Sequence, residues 1–221
     1  MKALLLQHWH AQPLPAIVEA SSANIRAYAE RIGADYRLLL GYPFHPGFSC
    51  QAQKLAVLRE WGEYDKVAML DSDMAAIRGL AESVFDQPGH GWHHTTAHPR
   101  VVKHFPALAR ADRAFWGGAI YVFDRAMRDR LRHEVHLTDL HQLDNPAGGW
   151  DEGMMHRLAV RADIPHEAGQ YISFAWCWPS YDANPEAGKI IHIRPKTDAA
   201  GRLPRRDKHE TFRQLQARGI I

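Results

Sequence analysis

Three short apolar runs in the first third of the chain are separated by segments with helical spacing. This alternation restricts the fold more than any other feature. "ALLLQ" (3–7) reads as a buried strand. "SSANIRAYAERIG" sets Ile25, Tyr28, Ala29 and Ile32 at helical spacing after Ser21 or Ser22, either of which can cap, and stops at Gly33. "DYRLLLGYP" is a second strand closed by Gly41 and Pro43, and "SCQAQKLAVLREWG" a second helix with Ala52, Leu55, Leu58 and Trp61 near one face. "KVAML" is short and apolar after Lys66, suited to the middle of a parallel sheet. The order β-α-β-α-β predicts an α/β fold with a mixed, mostly parallel central sheet flanked by helices.

The second half is less regular. "LAESVFD" reads as a short helix, "GWHHTTAHP" as a strand or loop, "GGAIYVFD" as a strand and "RAMRDRLRHEV" as the helix after it. "HQLDNPAGG" has loop composition, "WDEGMMHRLAVRA" reads as a helix and "KIIHI" as a last strand. With 221 residues, 46% of them hydrophobic, the chain can bury a sizeable core, and disorder is excluded. One domain is expected over residues 1–193. A C-terminal segment over 194–221 carries eight Lys+Arg against three Asp+Glu and reads as a solvated, partly helical tail. Cys50 and Cys177 form no C-x-x-C pattern, which suits a reducing compartment. "MKALLLQHWHAQ" is too weak for a signal peptide, and no run approaches the roughly 20 apolar residues of a membrane span, so a cytoplasmic location is expected.

The chemistry gathers where "KVAML" ends in Asp71-Ser72-Asp73. In an extended segment, side chains at i and i+2 point the same way, so the two aspartates can share a target. Ligands of open parallel sheets bind beyond the carboxyl ends of the strands, which is where this pair should lie. Two close carboxylates repel unless a positive group sits between them, and a divalent cation is the simplest candidate.

The stretch "QKLAVLREWGEYDKVAMLDSDMAAI" resembles the helix–strand–Asp-x-Asp core of nucleotide-sugar glycosyltransferases of the GT-A fold, a Rossmann-like architecture. Lys54, Tyr64, Asp65 and Asp71–Asp73 occupy the places of that pattern. "RAFWGGAIYVFDRAMRDRL", "GGWDEGMMHRL" and "IIHI" resemble three later elements, in the same order, and the resemblance runs over roughly residues 50–196. Glycosyltransferase family 8 is the suggested relative.

The resemblance implies Mn²⁺ or Mg²⁺ held by Asp71, Asp73 and His192, and a nucleotide-diphosphate sugar, UDP-sugar first, as the donor substrate. Asp71 could sit on the metal or on the donor ribose. Gln7, His8 and Trp9 would face the nucleotide, with Trp9 able to stack on the base. Lys54, Arg194 and Lys196 would add charge around the phosphates, and Gly117 and Gly118 would let the backbone approach the sugar. Asp151 and Glu152 are the candidates for a catalytic base or for stabilising an oxocarbenium-like centre. The stereochemical outcome is left open.

The acceptor is expected to be a saccharide hydroxyl, with a modified nucleic-acid base as an alternative reached through the basic tail. His90, His93, His94, His98 and His104 match no zinc spacing and read better as an acceptor-binding loop. Two rival functions follow from the same residues: a haloacid-dehalogenase-like phosphatase, which also ends a strand in Asp-x-Asp, and a non-catalytic nucleotide-sugar-binding module.

Overall fold

The structure is a computed structural model and describes residues 1–93, 106, 110–144, 150–194 and 207–221, the side chains of His93 and Trp150 excepted. Strand β1 (Ala3–Trp9) and helix α1 (Ala16–Arg31) lead into β2 (Asp35–Leu40). Then come β3 (Lys66–Leu70), β4 (Met74–Ala76), β5 (Gly91–His93) and β6 (Trp116–Asp124). Helices α2 (Arg125–His133), α3 (Leu137–Leu143) and α4 (Trp150–Arg161) follow. Strands β7 (Tyr171–Ile172), β8 (Trp178–Pro179) and β9 (Ile190–His192) and helix α5 (Lys208–Ala217) end the chain.

Six strands form one sheet in the order β2-β1-β3-β6-β5-β7. β1 runs parallel to both β2 and β3, and β5 runs parallel to β7, while β6 is antiparallel to β3 and β5. The central strands are apolar because both their faces are covered. Leu4, Leu6, Val67, Met69, Tyr121 and Phe123 enter one core cluster, and their sequence neighbours Leu5, Ala68, Leu70, Ile120 and Val122 enter the other. That is the period-two alternation of a pleated strand with apolar partners on both sides. α1 covers the second face through Ile25, Tyr28 and Ala29. α4 and the segment around Leu55 cover the first.

Four expectations change in detail. The predicted second helix is a 3-10 helix over Ala52–Leu58, in which every residue but Lys54 is buried. Burial on nearly all sides removes the one-faced periodicity by which a helix type is read. Gln53, fully buried, also ties it to the loop before it by donating to the carbonyls of His45, Phe48 and Ser49. "LAESVFD" supplies only a 3-10 turn, Val84–Asp86. The last strand, β9, leaves the main sheet and joins β4 and β8 in a three-stranded sheet. Finally, the described part of the C-terminal segment, 207–221, is helical as expected but not wholly solvated. α5 buries Phe212 and Leu215 against Ala75, Ile191 and Ile193 of the small sheet. Among the described residues, no helix is long and apolar enough to cross a membrane.

Candidate active site

The site is built at the carboxyl end of β3. The Asp71 amide donates to the Ala119 carbonyl at 2.9 Å, which carries the chain out of the sheet in register with β6. Gln7, buried at the end of β1, donates from Nε2 to the Asp71 carbonyl and to Ser21 Oγ, each at 2.9 Å. Its Oε1 accepts from Tyr36 Oη at 2.9 Å, and Ser21 Oγ donates onward to the Met74 carbonyl at 2.6 Å. The turn is thus held from β1, β2 and α1 together. Antiparallel pairing of β4 with β9 sets His192 opposite Met74, and the Ile193 amide donates to the Asp73 carbonyl at 2.8 Å.

These constraints bring Asp71, Asp73 and His192 together, with one ligand atom of each lying within 4.8 Å of the others. His192 Nε2 lies 3.3 Å from Asp73 Oδ1 and 3.7 Å from Asp71 Oδ2. Asp73 Oδ1 is buried and has no hydrogen-bond partner. Buried carboxylate oxygens are rarely left so. Two carboxylates, one of them with an oxygen that accepts no hydrogen bond, and one imidazole suit a hard divalent cation such as Mg²⁺ or Mn²⁺.

Two lysines neutralise the carboxylates. Lys54 Nζ donates to Asp71 Oδ1 and to the Gly118 carbonyl, each at 2.8 Å, and lies 2.9 Å from Asp151 Oδ2. Lys208, the first residue of α5, donates to Asp73 Oδ2. Burial pulls the Asp73 carboxyl upward, but His192 and Lys208 outweigh it and hold the group well below the usual range. Asp151 behaves in the opposite way. At 4% exposure, burial outweighs the Lys54 ammonium, and Glu152 and Asp71 push the same way, so its carboxyl rises to about 7. Tyr121 Oη donates to the same Asp151 oxygen at 3.0 Å, and burial raises this phenol well above its ordinary value. Glu152 Oε1 accepts from the Gly118 amide at 2.8 Å.

In front of Lys54, Asp71 and Asp73 lies a cavity of about 350 Å³, also lined by His8, Trp9 and Lys208. That is the lower end of the size range for small-molecule sites. His8 Nε2 faces the Gly41 carbonyl at 2.8 Å, and burial lowers its pKa, so the ring is neutral near pH 7.

No protein-family model and no curated protein matches the chain. Solved structures do. A glycosyltransferase involved in glycosylation of the major capsid of PBCV-1 matches 97% of this chain and 100% of its own, with a TM-score of 0.57 and 11% identity. The galactosyltransferase LgtC, solved in complex with donor and acceptor sugar analogs, matches 97% of this chain and 95% of its own, with a TM-score of 0.58 and 12% identity. The bifunctional glycosyltransferase WbbM matches 96% of this chain over 49% of its own length, with a TM-score of 0.57 and 12% identity. This chain has the GT-A fold.

Within the GT-A frame, most of the residues singled out in the sequence fall into three groups, while Arg194 donates to His192 Nδ1 at 3.2 Å from behind the site. Lys54, Asp71, Asp73 and His192 converge at the strand tip, and His8 and Trp9 line the cavity beside them. Gln7, Gly117, Gly118 and Asp151 sit behind this surface and support it. Gln7 spends its whole carboxamide inside the protein, so it is corrected from a nucleotide contact to a brace of the Asp71 turn. Gly117 and Gly118 lie within β6 and not in a turn. A Cβ on Gly117 would meet the Trp92 ring at 2.3 Å, and one on Gly118 would meet Asp151 Oδ2 at 2.4 Å. Their small size therefore serves internal packing. The third group lies outside the described residues: Lys196, His94, His98, His104 and the His93 side chain. His90 is described, and its Nδ1 donates to the Val122 carbonyl at 3.0 Å inside the sheet.

Sequence reasoning missed Lys208, Tyr121 and the Ser21–Tyr36 brace. The first reaches Asp73 across 135 positions, a pairing with no local signal. Tyr121 could have been noticed as the single hydroxyl-bearing residue within "AIYVF".

Proposed function

We propose that the protein is a metal-dependent glycosyltransferase. It would move a sugar from a nucleotide-diphosphate sugar, UDP-sugar first, to a hydroxyl acceptor, most simply a saccharide. The observation that carries the reading is the convergence of Asp71, Asp73 and His192 at the tip of a buried strand, beside a cavity walled by two lysines. A bound Mn²⁺ or Mg²⁺ would neutralise charge on the departing nucleoside diphosphate.

The protein's own groups do the rest. Asp71, Asp73 and His192 are the proposed metal ligands. Lys208, which now donates to Asp73, would give that carboxylate up to the cation and offer its ammonium to the diphosphate. Lys54 stays beside Asp71 and holds the Gly118 carbonyl and the Asp151 carboxyl in one arrangement. Trp9 offers an aromatic face to the base. Asp151 acts through Lys54 and Tyr121, as a positioning residue. Glu152, half-buried and anchored by the Gly118 amide, is the proposed group for the reacting centre. The phosphatase alternative loses its support with the fold, because the Asp-x-Asp strand here belongs to a GT-A sheet.

The test is calorimetric titration with UDP and with GDP, each with and without Mn²⁺, on the wild type and on Asp73→Ala. Binding that requires both the metal and Asp73 is the expected result. Equal binding by Asp73→Ala would sink the assignment of the metal site. Donor binding without turnover on a broad panel of saccharide acceptors would leave only the non-catalytic binding module.

A further inference from the structure

At the other end of β3, away from the cavity, a second group of cations gathers. Lys66 of β3 pairs with Asp124 of β6, and α2 begins at the next residue. α2 carries Arg125, Arg128 and Arg132 at i, i+3 and i+7, so the three share one helical face. The turn after the 3-10 segment brings Arg59, Glu60, Trp61 and Gly62 against that face. With Asp129 these residues line a separate, open cavity of about 70 Å³. Four guanidinium groups and two carboxylates line it, a balance of +2.

Arg128 is the decisive residue. It is 3% exposed, and its Nη2 donates to the Tyr64 carbonyl at 2.7 Å. Its Nη1 is buried and has no hydrogen-bond partner. Burial, then the neighbouring Arg125, press its pKa downward, yet a guanidinium remains a cation at any ordinary pH. A buried, charged N–H without an acceptor is among the costliest polar arrangements a fold can keep. Two of the other guanidiniums have acids beside them, Arg132 donating to Asp129 at 2.9 Å and Arg125 lying 3.7 Å from Asp65, and neither acid accepts from Arg128 Nη1. Arg59 lies over the Trp61 ring at 5.7 Å.

We propose that this cavity is an anion site for one tetrahedral oxyanion, phosphate or sulfate, either free or as the terminal group of a larger molecule. The cavity holds roughly two waters by liquid volume, the scale of one such group. Arginine forks match its oxygens, and Arg128, whose Nη1 has no acceptor of its own, forms part of the wall. The inference is independent of the glycosyltransferase reading, because no residue of the Asp71–Asp73 site lines this cavity.

The full chain is titrated by calorimetry with inorganic phosphate and, separately, sulfate at constant ionic strength. The variant Arg59→Gln/Arg132→Gln changes two exposed positions and keeps Arg128 in place. Arg213→Gln/Arg218→Gln makes the same charge change on and just after α5. The expected result is a loss of affinity on the order of tenfold in the first variant and none in the second. Arg128→Lys, which keeps the charge and removes the fork, should also weaken binding while circular dichroism stays unchanged. No binding of either anion, or equal binding by all variants, overturns the proposal, whatever UDP does. A parallel arm uses phosphatidic acid vesicles in phosphatidylcholine against phosphatidylcholine alone. Sedimentation that is lost in Arg59→Gln/Arg132→Gln assigns the group to a lipid headgroup, and anion binding without sedimentation assigns it to a soluble molecule.

Discussion

Lys54 is the residue on which the site turns. One ammonium joins the end of β3, the backbone of β6 and the start of α4 through Asp71, Gly118 and Asp151. Asp151 carries the pH dependence of that junction. Its carboxyl moves from an ordinary 3.8 to about 7 in the fold, so the folded protein holds a proton that the unfolded chain has already lost. Stability must then fall as pH rises from about 4 to about 7. Asp151→Asn cannot titrate. Urea denaturation across that window should show the wild type losing stability relative to Asp151→Asn as pH rises, and parallel curves would refute the assignment. Gly118 offers a second check. A methyl group there would strike Asp151 Oδ2 and Glu152 Cγ at the helix start. Gly118→Ala should cost about 1–3 kcal/mol by chemical denaturation. An unchanged midpoint would mean that α4 can retreat from β6 without loss.

At the scale of elements, the long buried strands were legible in the sequence. β1, β3 and β6 announce themselves by apolar runs of a length only a two-faced sheet can cover. The small sheet was not legible as a sheet. β4 and β9 have three residues each and β8 two, too few to show any period, and their order depends on pairing across more than a hundred positions. The tail misled for a related reason. Its charge count suggested solvation, whereas two residues, Phe212 and Leu215, suffice to dock α5. Of the site, the aspartates, His192 and Lys54 were readable because they occupy the places of a known pattern. Lys208 was not, because no pattern marks it. Its role can be tested directly. In Lys208→Met the ammonium no longer competes for Asp73, so Mn²⁺ alone should bind more tightly while UDP in the presence of Mn²⁺ binds more weakly. Opposite movement of the two affinities distinguishes a phosphate-facing lysine from one that merely neutralises Asp73, for which both would rise.

At the scale of the whole molecule, the cavity residues come from β1, the 3-10 segment, the β3 turn and α5, so ligand binding and global stability are linked. A ligand at a hundred times its dissociation constant adds about 2.7 kcal/mol. For a chain of this length that corresponds to a rise in melting temperature of roughly 5–11 °C. UDP with Mn²⁺ should produce such a rise in the wild type and none in Asp73→Ala, as read by thermal melting. The charge distribution adds a second whole-molecule effect. Residues 1–193 carry nineteen Lys+Arg against twenty-two Asp+Glu, a net of −3, while residues 194–221 carry +5. Within α5 itself the net charge is only +1, so the electrostatic part of its docking rests on the Lys208–Asp73 pair, which salt screens.

The pairing of Lys208 with Asp73 across 135 positions also sets a schedule for the chain during its synthesis. At typical ribosomal rates, roughly 7 to 27 s separate the making of Asp73 from the making of Lys208. Throughout that interval the strand-tip carboxylates lack the α5 lysine, and for most of it they lack the histidine as well. The strand-tip cluster is therefore assembled late, and its full set of charges is present only once α5 has been made and docked.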